Sequence, residues 1–471
     1  MSHWRRSISP PVYPRQLDCI PPEPAETVTD RLNTLLNSSG PGYILPLCQN
    51  ATYRLTAPLV YAAENQEIST VGYPIGDERA TLLVDGFYND TNGHSVAVQG
   101  NCIGCNGIIL RHVQINGARN GRPLIGGGPN ANQLIEYVHT YDPRAWTCLH
   151  IAEGVLNCTN TTIQMNDIGP CGTDSFQNWA DGISLSCRNS VIRSNWIESP
   201  TDGGIVLFGS PGTLVQNNTI WAESNTLLGG INLVDYDPFN GDYTGTIVEN
   251  NTIIGGFATD QPENSTDALG DNDQDVIIKM GLAVGNRVWF GEKYGLNRNF
   301  GGIVRNNQLT GAFGWGVAVS GTRDFVVENN ELVGNTCFIG YRGVNCSITE
   351  ALPSPSPFLY DSNGTDSTTL PSNYPDVRLD GGLLCIVSPD GGDYWPRRGS
   401  PYGDPGSSPG SSTGNSGRSG SSKAQKLGLG LGITFGILFV GVASWLVHRW
   451  AVKKYVPTTG ASTPEMSSKS V

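Results

Sequence analysis

Two short sequence patterns alternate between residues 181 and 332, and their repetition limits the possible folds more than any other feature. In the first, a glycine precedes an apolar residue, any residue and a second apolar residue, as in Gly182–Leu185, Gly204–Leu207, Gly230–Leu233, Gly281–Val284 and Gly316–Val319. In the second, two apolar residues and two residues of any kind precede an asparagine, any residue, and Ile or Leu. These asparagines are Asn195, Asn218, Asn251, Asn307 and Asn330.

The spacing of the asparagines indicates a solenoid. They lie 23, 33, 56 and 23 residues apart, as expected for a unit of one size that insertions lengthen. Each unit contains at least two short strands whose apolar residues alternate and face inward. One unit cannot bury its inner face alone, so successive units must stack into coils.

The repeated asparagine suits a bend between strands. Asparagine tolerates left-handed backbone angles, and its amide can bond the same amide one coil away. The alternative is that Asn-Asn pairs only mark surface turns. Five occurrences in one register with apolar neighbours favour an inward ladder, beginning near Asn166.

Three segments carry a resemblance to a known superfamily: Ala180–Leu185, Thr201–Gly209 and Gly229–Tyr236. They resemble a group of fungal, membrane-anchored right-handed β-helix proteins within the pectin lyase-like superfamily. The resemblance covers about residues 40–350. It implies an all-β, right-handed parallel β-helix solenoid, and it implies no particular reaction because none is assigned to that group.

Changes in composition divide the chain into seven segments. We expect an unstructured N-terminus (1–18), an N-terminal cap with the first strands (19–94), the β-helix core (95–350), an irregular segment (351–398), a Gly/Ser/Pro-rich linker (399–426), a single transmembrane helix (427–447) and a cytosolic tail (448–471). Apolar spacing at Thr27–Leu36 favours a short capping helix. The polar, Gly-rich segment Gly117–Pro143 is expected to be a loop rather than a coil.

The apolar segment 427–447 contains no charged residue and is long enough to cross a membrane. Arg449, Lys453 and Lys454 follow it, which favours a cytosolic C-terminus. The alternative is a helix buried in the solenoid, although the flexible linker before it argues against packing. The expected localisation is therefore a single-pass membrane protein with an extracellular N-terminal ectodomain.

Cysteines and glycosylation sequons also favour the secretory pathway. Eleven cysteines without a zinc-binding pattern predict disulfides. Sequons occur at Asn37, Asn50, Asn89, Asn157, Asn160, Asn264, Asn345 and Asn363, and two more occur at Asn217 and Asn250. We expect those last two to lie too close to the coil wall for modification. No signal peptide is visible in residues 1–18, and an incomplete start is the favoured explanation.

Charge limits the possible partners. The formal net charge is −13, which disfavours nucleic acid and polyanionic polymers as partners. The sequence predicts no metal and no cofactor. It leaves the oligomeric state open.

The middle residues of the first pattern point outward and should form one column. Together with Cys148–Ile151, the register gives His150, Ser184, Val206, Asn232, Ala283 and Ala318. This column is polar at its start and apolar later. A functional site is therefore expected near residues 146–236, with His150 and Asn232 as candidate substrate-binding residues.

Three aspartates flank this column and are the candidate catalytic residues. Asp181 and Asp202 precede their strands, whereas Asp235 follows one. Acids on adjacent coils lie about 5 Å apart, which suits the two carboxyls of a retaining glycosidase. The alternative is that an aspartate before glycine is an ordinary turn residue.

Further candidates for substrate binding lie in an insertion. The segment Val288–Phe300 contains Trp289, Tyr294 and Arg298, and loops on a rigid scaffold often carry binding residues. The alternative is that this insertion only shields the edges of the solenoid.

The sequence therefore predicts a surface protein that acts on or binds extracellular or cell-wall polysaccharide, and a glycoside hydrolase is the favoured enzyme. Polygalacturonase-type motifs are not intact, and the outward column lacks the cation that a lyase needs. The alternative is a non-catalytic carbohydrate-binding or structural cell-wall protein.

Overall fold

The chain folds into a stack of parallel strands. The computed structural model describes residues 18–86, 96–118, 124–127, 130–144, 146–151, 156–173, 178–223, 225–237, 239–255, 278–291, 293–338, 340, 355–378, 382–383, 385–386 and 395–396. Within these residues each coil contributes one strand to each of three faces. The faces are called face 1, face 2 and face 3 below.

Face 1 consists of short strands that pair in parallel from coil to coil. Its strands are Ile44–Leu47, Glu67–Thr70, Ile109–Arg111, Leu134–Glu136, Thr162–Gln164, Val191–Arg193, Leu214–Gln216, Ile247–Glu249, Ile303–Arg305 and Val326–Glu328.

Face 2 follows face 1 in every coil. Its strands are Thr52–Leu55, Ala80–Val84, Val113–Asn116, His139–Tyr141, Asp167–Ile168, Trp196–Glu198, Thr219–Ala222, Thr252–Gly255, the first part of Gln308–Val319, and Glu331–Phe338.

Face 3 completes each coil. Its strands are Leu59–Val60, Val96–Gly100, Leu124–Gly127, Thr147–Ile151, Asp181–Leu185, Gly203–Leu207, Leu227–Leu233, Ile278–Val284, the last part of Gln308–Val319, and Phe358–Tyr360.

The interior is a continuous hydrophobic core built from aligned side chains. In face 1, the three-residue strands bury only their middle residue, and Ile192, Val215 and Val248 occupy successive coils in register. All three are fully buried. Since each strand contributes so little apolar area, stability depends on stacking many coils.

The bend between face 1 and face 2 uses two adjacent residues for two tasks. Asn217 and Asn250 adopt the left-handed conformation, with φ of 56° and 55°. The next residues, Asn218 and Asn251, point inward, and Nδ2 of Asn218 donates to Oδ1 of Asn251 at 2.9 Å. The left-handed position therefore precedes the ladder position, whereas the sequence reasoning assigned both tasks to one asparagine.

The asparagine ladder extends over six coils. Each Nδ2 donates to the next Oδ1 at 2.9 Å along Asn166, Asn195, Asn218, Asn251, Asn307 and Asn330. The same Oδ1 atoms accept the backbone N–H of the preceding ladder residue. The ladder thus satisfies polar groups that would otherwise be buried without partners.

A helix over Val28–Ser39 covers the first coil, close to where the sequence favours one. Val28, Leu32 and Leu36 are buried in the main core. Asn33 fixes the helix to the first face 3 strand, because its Oδ1 accepts the N–H of Val60 at 2.9 Å. The helix therefore shields an open end that would otherwise expose unpaired strand edges.

One expectation about the extent of the solenoid was wrong. Gly117–Pro143 is not a loop, because it contains one strand of each face. Its strands contain only three or four residues, too few for a visible alternation. Strand stacking begins within residues 19–94, where the first strands are expected, and it continues to Phe358–Tyr360.

Disulfides connect Cys19 to Cys48, Cys102 to Cys105, Cys148 to Cys171, and Cys158 to Cys187. The remaining short elements are a 3-10 turn at Ala25–Thr27, a helix at Asn286–Phe290, a parallel trio at Asn299–Phe300, Thr322–Arg323 and Thr365–Asp366, and an antiparallel pair at Cys385–Ile386 and Trp395–Pro396.

The linker at 399–426, the apolar segment at 427–447 and the tail at 448–471 lie outside the described residues. Among the residues that the structure does describe, no helix combines the length and apolar character needed to span a membrane.

Candidate functional site

The outer side of face 3 carries the column that the sequence register indicates, although most of its residues are buried. His150 pairs with Ser184, Ser184 with Val206, and Val206 with Asn232. The column continues through Ala283 and Ala318. A second column lies three residues earlier in each strand and consists of Thr147, Asp181, Gly203, Gly229, Met280 and Trp315.

The C-terminal half of this surface is closed by apolar side chains. Met280, Trp289 and Trp315 form a second hydrophobic cluster with Ala283 and Ala318. Trp289 is only 3% exposed, so it is a core residue and the substrate-binding role expected for it is wrong. The polar half of face 3 consists of the preceding strands, from Thr147–Ile151 to Leu227–Leu233, and it carries the remaining functional groups.

Asp181 is fixed on both of its carboxyl oxygens. Its Oδ1 accepts the backbone N–H of Gly203 at 2.7 Å, and its Oδ2 lies 2.7 Å from Oγ of Ser184. Asp181 is 3% exposed. Burial, followed by the charge of Asp202, raises the pKa of Asp181 well above its usual range.

Asp202 lies on the neighbouring coil, one residue before Gly203, and it is half-buried. Adjacent strands are about 4.8 Å apart, so the two acids are close neighbours, as the sequence predicts. Within the described residues, no hydrogen bond to the Asp202 carboxyl is found. Burial raises the pKa of Asp202 to about 7, which leaves this carboxyl ready to gain or lose a proton near neutral pH.

The amide of Asn232 lies beside Gly203, the residue that follows Asp202. Asn232 is 1% exposed, and neither its Oδ1 nor its Nδ2 has a hydrogen-bond partner among the described residues. The space that it fills exists because positions 203 and 229 are glycines, whose added Cβ atoms would lie 2.9 Å and 2.2 Å from the amide. A buried amide without partners costs about 1–3 kcal/mol, which indicates a group that bonds a ligand or water.

Aromatic side chains border the polar half, and sequence reasoning missed two of them. The ring of Trp146 lies 4.6 Å from that of His150 and 6.4 Å from that of Phe208. The backbone carbonyl of Trp146 accepts the backbone N–H of Asp181, which places Trp146 one strand from the acid pair. The available signal was position, since Trp146 directly precedes a face 3 strand and Phe208 directly follows one.

His150 is half-buried, and burial lowers its pKa to about 4. The imidazole is therefore neutral at neutral pH. It can donate one hydrogen bond and accept another, but it brings no positive charge to the acids.

Asp235 does not join the other two acids. It lies two residues beyond Leu233, the last residue paired with Leu207, and Asp202 lies five residues before Leu207. Seven strand residues correspond to about 20 Å. The grouping of Asp235 with Asp202 and Asp181 as catalytic residues is therefore wrong on distance.

At its own position, Asp235 is 7% exposed, and Oδ2 has no partner among the described residues. Burial and then Asp237 raise its pKa well above the usual range. Tyr294 lies near this end of the surface, and its ring is 5.7 Å from that of Tyr236.

Arg298 is engaged in local structure rather than in the polar half of face 3. Its guanidinium donates to the carbonyl of Asn363 at 3.2 Å and lies 3.7 Å from Asp366. These contacts occupy the guanidinium of Arg298, so it is not free for the substrate-binding role expected for this residue. Over the same described ranges, no cluster of His, Cys, Asp and Glu has the geometry of a metal site.

Comparisons with known proteins agree with the stacked strands. Residues 147–268 match the family model described as "Right handed beta helix region". The described coils continue the same stacking on both sides of this segment. The chain therefore contains a right-handed parallel β-helix.

Solved structures with a similar backbone include three enzymes. They are an alginate lyase from Paenibacillus sp. str. FPU-7 (13% identity, 66% of this chain and 95% of that chain, TM-score 0.41), DFA-IIIase from Arthrobacter chlorophenolicus A6 in complex with DFA-III (12%, 76% and 96%, 0.46), and an exopolygalacturonase from Thermotoga maritima (12%, 66% and 84%, 0.41). These likenesses assign no role to any residue. No curated protein sequence matches the chain.

Proposed function

We propose that the protein acts on a carbohydrate at the polar half of face 3, with Asp202 as the reacting carboxyl of a glycoside hydrolase. The observation that carries this proposal is the half-buried Asp202 carboxyl, to which no described residue hydrogen-bonds, one residue before the glycine that lies against the unpaired Asn232 amide. An acid of raised pKa next to an unsatisfied amide suits general acid or base chemistry on a hydroxyl-rich ligand.

The aromatic border supports the carbohydrate class. The rings of Trp146 and Phe208 offer flat apolar surfaces against which the C–H faces of a sugar can pack. Asp202 and Asn232 offer partners for sugar hydroxyls. The neutral state of His150 leaves the site without a cation at that position, which favours an uncharged glycan over a polyuronate.

The experiment is a glycan array followed by a reducing-end assay on the bound glycans, with the full chain and two variants. Asp202→Asn keeps the size of the side chain but cannot exchange a proton. Asp237→Asn, at an exposed position, is the matched control. Hydrolysis should be lost in the first variant and retained in the second, and equal hydrolysis in both would refute the role of Asp202.

A second candidate function is non-catalytic glycan binding. It is favoured by one observation, namely that both oxygens of Asp181 are bonded to the protein wall and do not face a ligand. A binder would retain glycans on the array and release no reducing ends. In that case Asp202→Asn would change affinity alone.

The proposed location is the cell exterior. Every sequon asparagine that the structure describes is exposed, and these are Asn37, Asn50, Asn157, Asn160, Asn217, Asn250 and Asn363. Four disulfides within the described residues add support, because disulfides persist in oxidising compartments. Anchoring through 427–447 and a wall polysaccharide as partner remain parts of this proposal.

A further inference from the structure

A second group of functional side chains lies where the face 3 strand Leu227–Leu233 ends. Asp235 follows this strand and is 7% exposed, and its Oδ2 has no hydrogen-bond partner among the described residues. A buried carboxyl oxygen without a partner costs free energy, and a ligand that supplies the missing hydrogen would stabilise it. Asp235 is therefore a candidate binding group at its own position, apart from Asp202.

Three aromatic rings lie together in the segments next to Asp235. The ring centroids of Tyr236 and Tyr294 are 5.7 Å apart, and those of Phe290 and Tyr294 are 5.5 Å apart. All three residues are half-buried, so part of each remains accessible to solvent. Burial and then the charge of Asp235 raise the pKa of Tyr294, which is consistent with a short distance between these two side chains.

A second oxygen without a partner lies beside Tyr236. Asn299 is fully buried, and its Nδ2 donates to the carbonyl of Leu233 at 2.9 Å, whereas its Oδ1 has no partner within the described part of the chain. An added Cβ at Gly241 would lie 3.0 Å from this oxygen and 3.2 Å from Cδ2 of Tyr236. Asp235 and Asn299 therefore each contain an acceptor that needs a donated hydrogen.

An aromatic side chain connects this group to the first site. The residue before Phe208 pairs with Leu233, so Phe208 lies in register with the residue before Asp235. The ring of Phe208 also lies 6.4 Å from that of Trp146, at the border of the first site. Aromatic residues therefore lie between the two groups along the direction of the strands.

Charge and ring surface limit the chemistry of the ligand. Nζ of Lys293 lies 5.2 Å from the ring centroid of Phe290 and 5.3 Å from that of Tyr294. This ammonium disfavours a cationic ligand, because like charges repel, and the carboxyl of Asp235 disfavours an anionic one. A neutral molecule with hydroxyl donors and apolar C–H faces, such as a sugar, suits both the acceptors and the rings. Lys293 is exposed, so its side chain can move away from the rings when a sugar binds.

We propose that Asp235, Tyr236 and Tyr294 form a second sugar-binding subsite, which holds a neutral unit of the same glycan that reaches Asp202. The Asp235 carboxyl accepts a hydrogen bond from a sugar hydroxyl, and the tyrosine rings pack against C–H groups. This inference deepens the proposed function and rests on it for the position of the reacting bond. About 20 Å separate the two aspartates along the strands, so the protein should prefer glycans of several units.

The test is isothermal titration calorimetry of the full chain with Asp202→Asn as the parent protein, which limits cleavage of the ligand. The probes are neutral gluco-oligosaccharides of two to six units with α-1,3, β-1,3 or β-1,4 linkages. Affinity should rise with chain length in the parent. Adding Asp235→Leu or Tyr294→Ala should weaken binding of the longest probes about tenfold, as expected for the loss of one hydrogen bond or one ring contact. Leu296→Ala is the matched control, because Leu296 lies in the same turn and is 82% exposed.

Circular dichroism confirms that each variant is folded, and Tyr294→Ala, within the turn at 293–296, tests the subsite even if Asp235→Leu does not fold. The subsite would be overturned if no probe binds, if both variants keep the gain from longer chains, or if Leu296→Ala also loses it. The proposed reaction fails separately. If the wild type releases no reducing ends while both variants still lose the gain, the hydrolase is refuted and the subsite stands.

Discussion

The backbone N–H of Gly203 donates a 2.7 Å hydrogen bond to Oδ1 of Asp181, and this bond joins two successive coils directly behind Asp202. A side chain at position 203 cannot share this space. An added Cβ would lie 2.2 Å from Cγ2 of Val206 and 2.9 Å from Oδ1 of Asp181. The glycine therefore permits the close approach of the acid to the next coil.

Gly203→Ala should consequently destabilise the protein. Crowding of this kind in a packed region costs about 1–3 kcal/mol. Gly76→Ala is the matched control, because an added Cβ there meets no atom within 4 Å. Urea unfolding of both variants measures the difference, and equal midpoints would contradict the close packing at Gly203.

Asn218→Leu should destabilise the ladder. The substitution removes the Oδ1 that accepts from Asn195 and the Nδ2 that donates to Asn251. Each buried group left without a partner costs about 1–3 kcal/mol. The exposed neighbour Asn217 supplies the control Asn217→Gly, which keeps the left-handed backbone. A thermal midpoint unchanged by Asn218→Leu would show that the ladder contributes nothing to stability.

The stability of the protein should depend on pH through Asp202. Its pKa is raised to about 7 in the folded state, whereas an exposed aspartate titrates near about 4. The folded protein therefore binds this proton more tightly, so the contribution to stability is complete below about pH 4 and is lost as pH rises through 7. Asp202→Asn does not titrate and should gain stability relative to the wild type over this range.

The measurement is the urea midpoint of the wild type and Asp202→Asn at several values between pH 4 and pH 8. Burial lowers the pKa of His150 to about 4, and burial followed by the charge of Asp202 raises the pKa of Asp181 well above its usual range. A constant difference between the two proteins across this range would show that Asp202 titrates like an exposed acid.

Glycans should be attached at the exposed sequons if the protein enters the secretory pathway. Digestion with a glycan-removing enzyme should lower the apparent mass of the expressed protein. Asn217 and Asn250 are exposed on the left-handed residue of the bend, so burial does not exclude them, contrary to the expectation from sequence. Asn217→Gln tests that site, with the non-sequon residue Asn189→Gln as the control. An unshifted mass for the wild type would contradict the extracellular location.

The strand register of the site could be predicted from sequence because the glycine pattern repeats with a fixed relation to the inward side chains. His150, Ser184, Val206 and Asn232 occupy the expected column. The proximity of Asp181 and Asp202 follows from the same register. Their unequal exposure does not, because it depends on hydrogen bonds between coils.

Other features of the site depended on packing that a linear pattern does not show. Trp289 is an aromatic residue in an insertion, which suggested a binding loop, yet it closes an apolar cluster with Met280 and Trp315. Asp235 follows its strand whereas Asp202 precedes one, so chain order concealed a separation of about 20 Å. The hydrogen bond from Oγ of Ser184 to Oγ1 of Thr147 joins residues 37 positions apart in sequence.

The asparagine ladder also keeps successive coils aligned when the loops between them differ in length. Asn195 and Asn218 are separated by 23 residues, Asn251 and Asn307 by 56, and both pairs bond at the same 2.9 Å. Each hydrogen bond between ladder asparagines aligns two successive coils, whatever the length of the segment inserted between them. The length of an insertion between two coils can therefore change, and with it the binding surface, while the stacked strands keep their alignment.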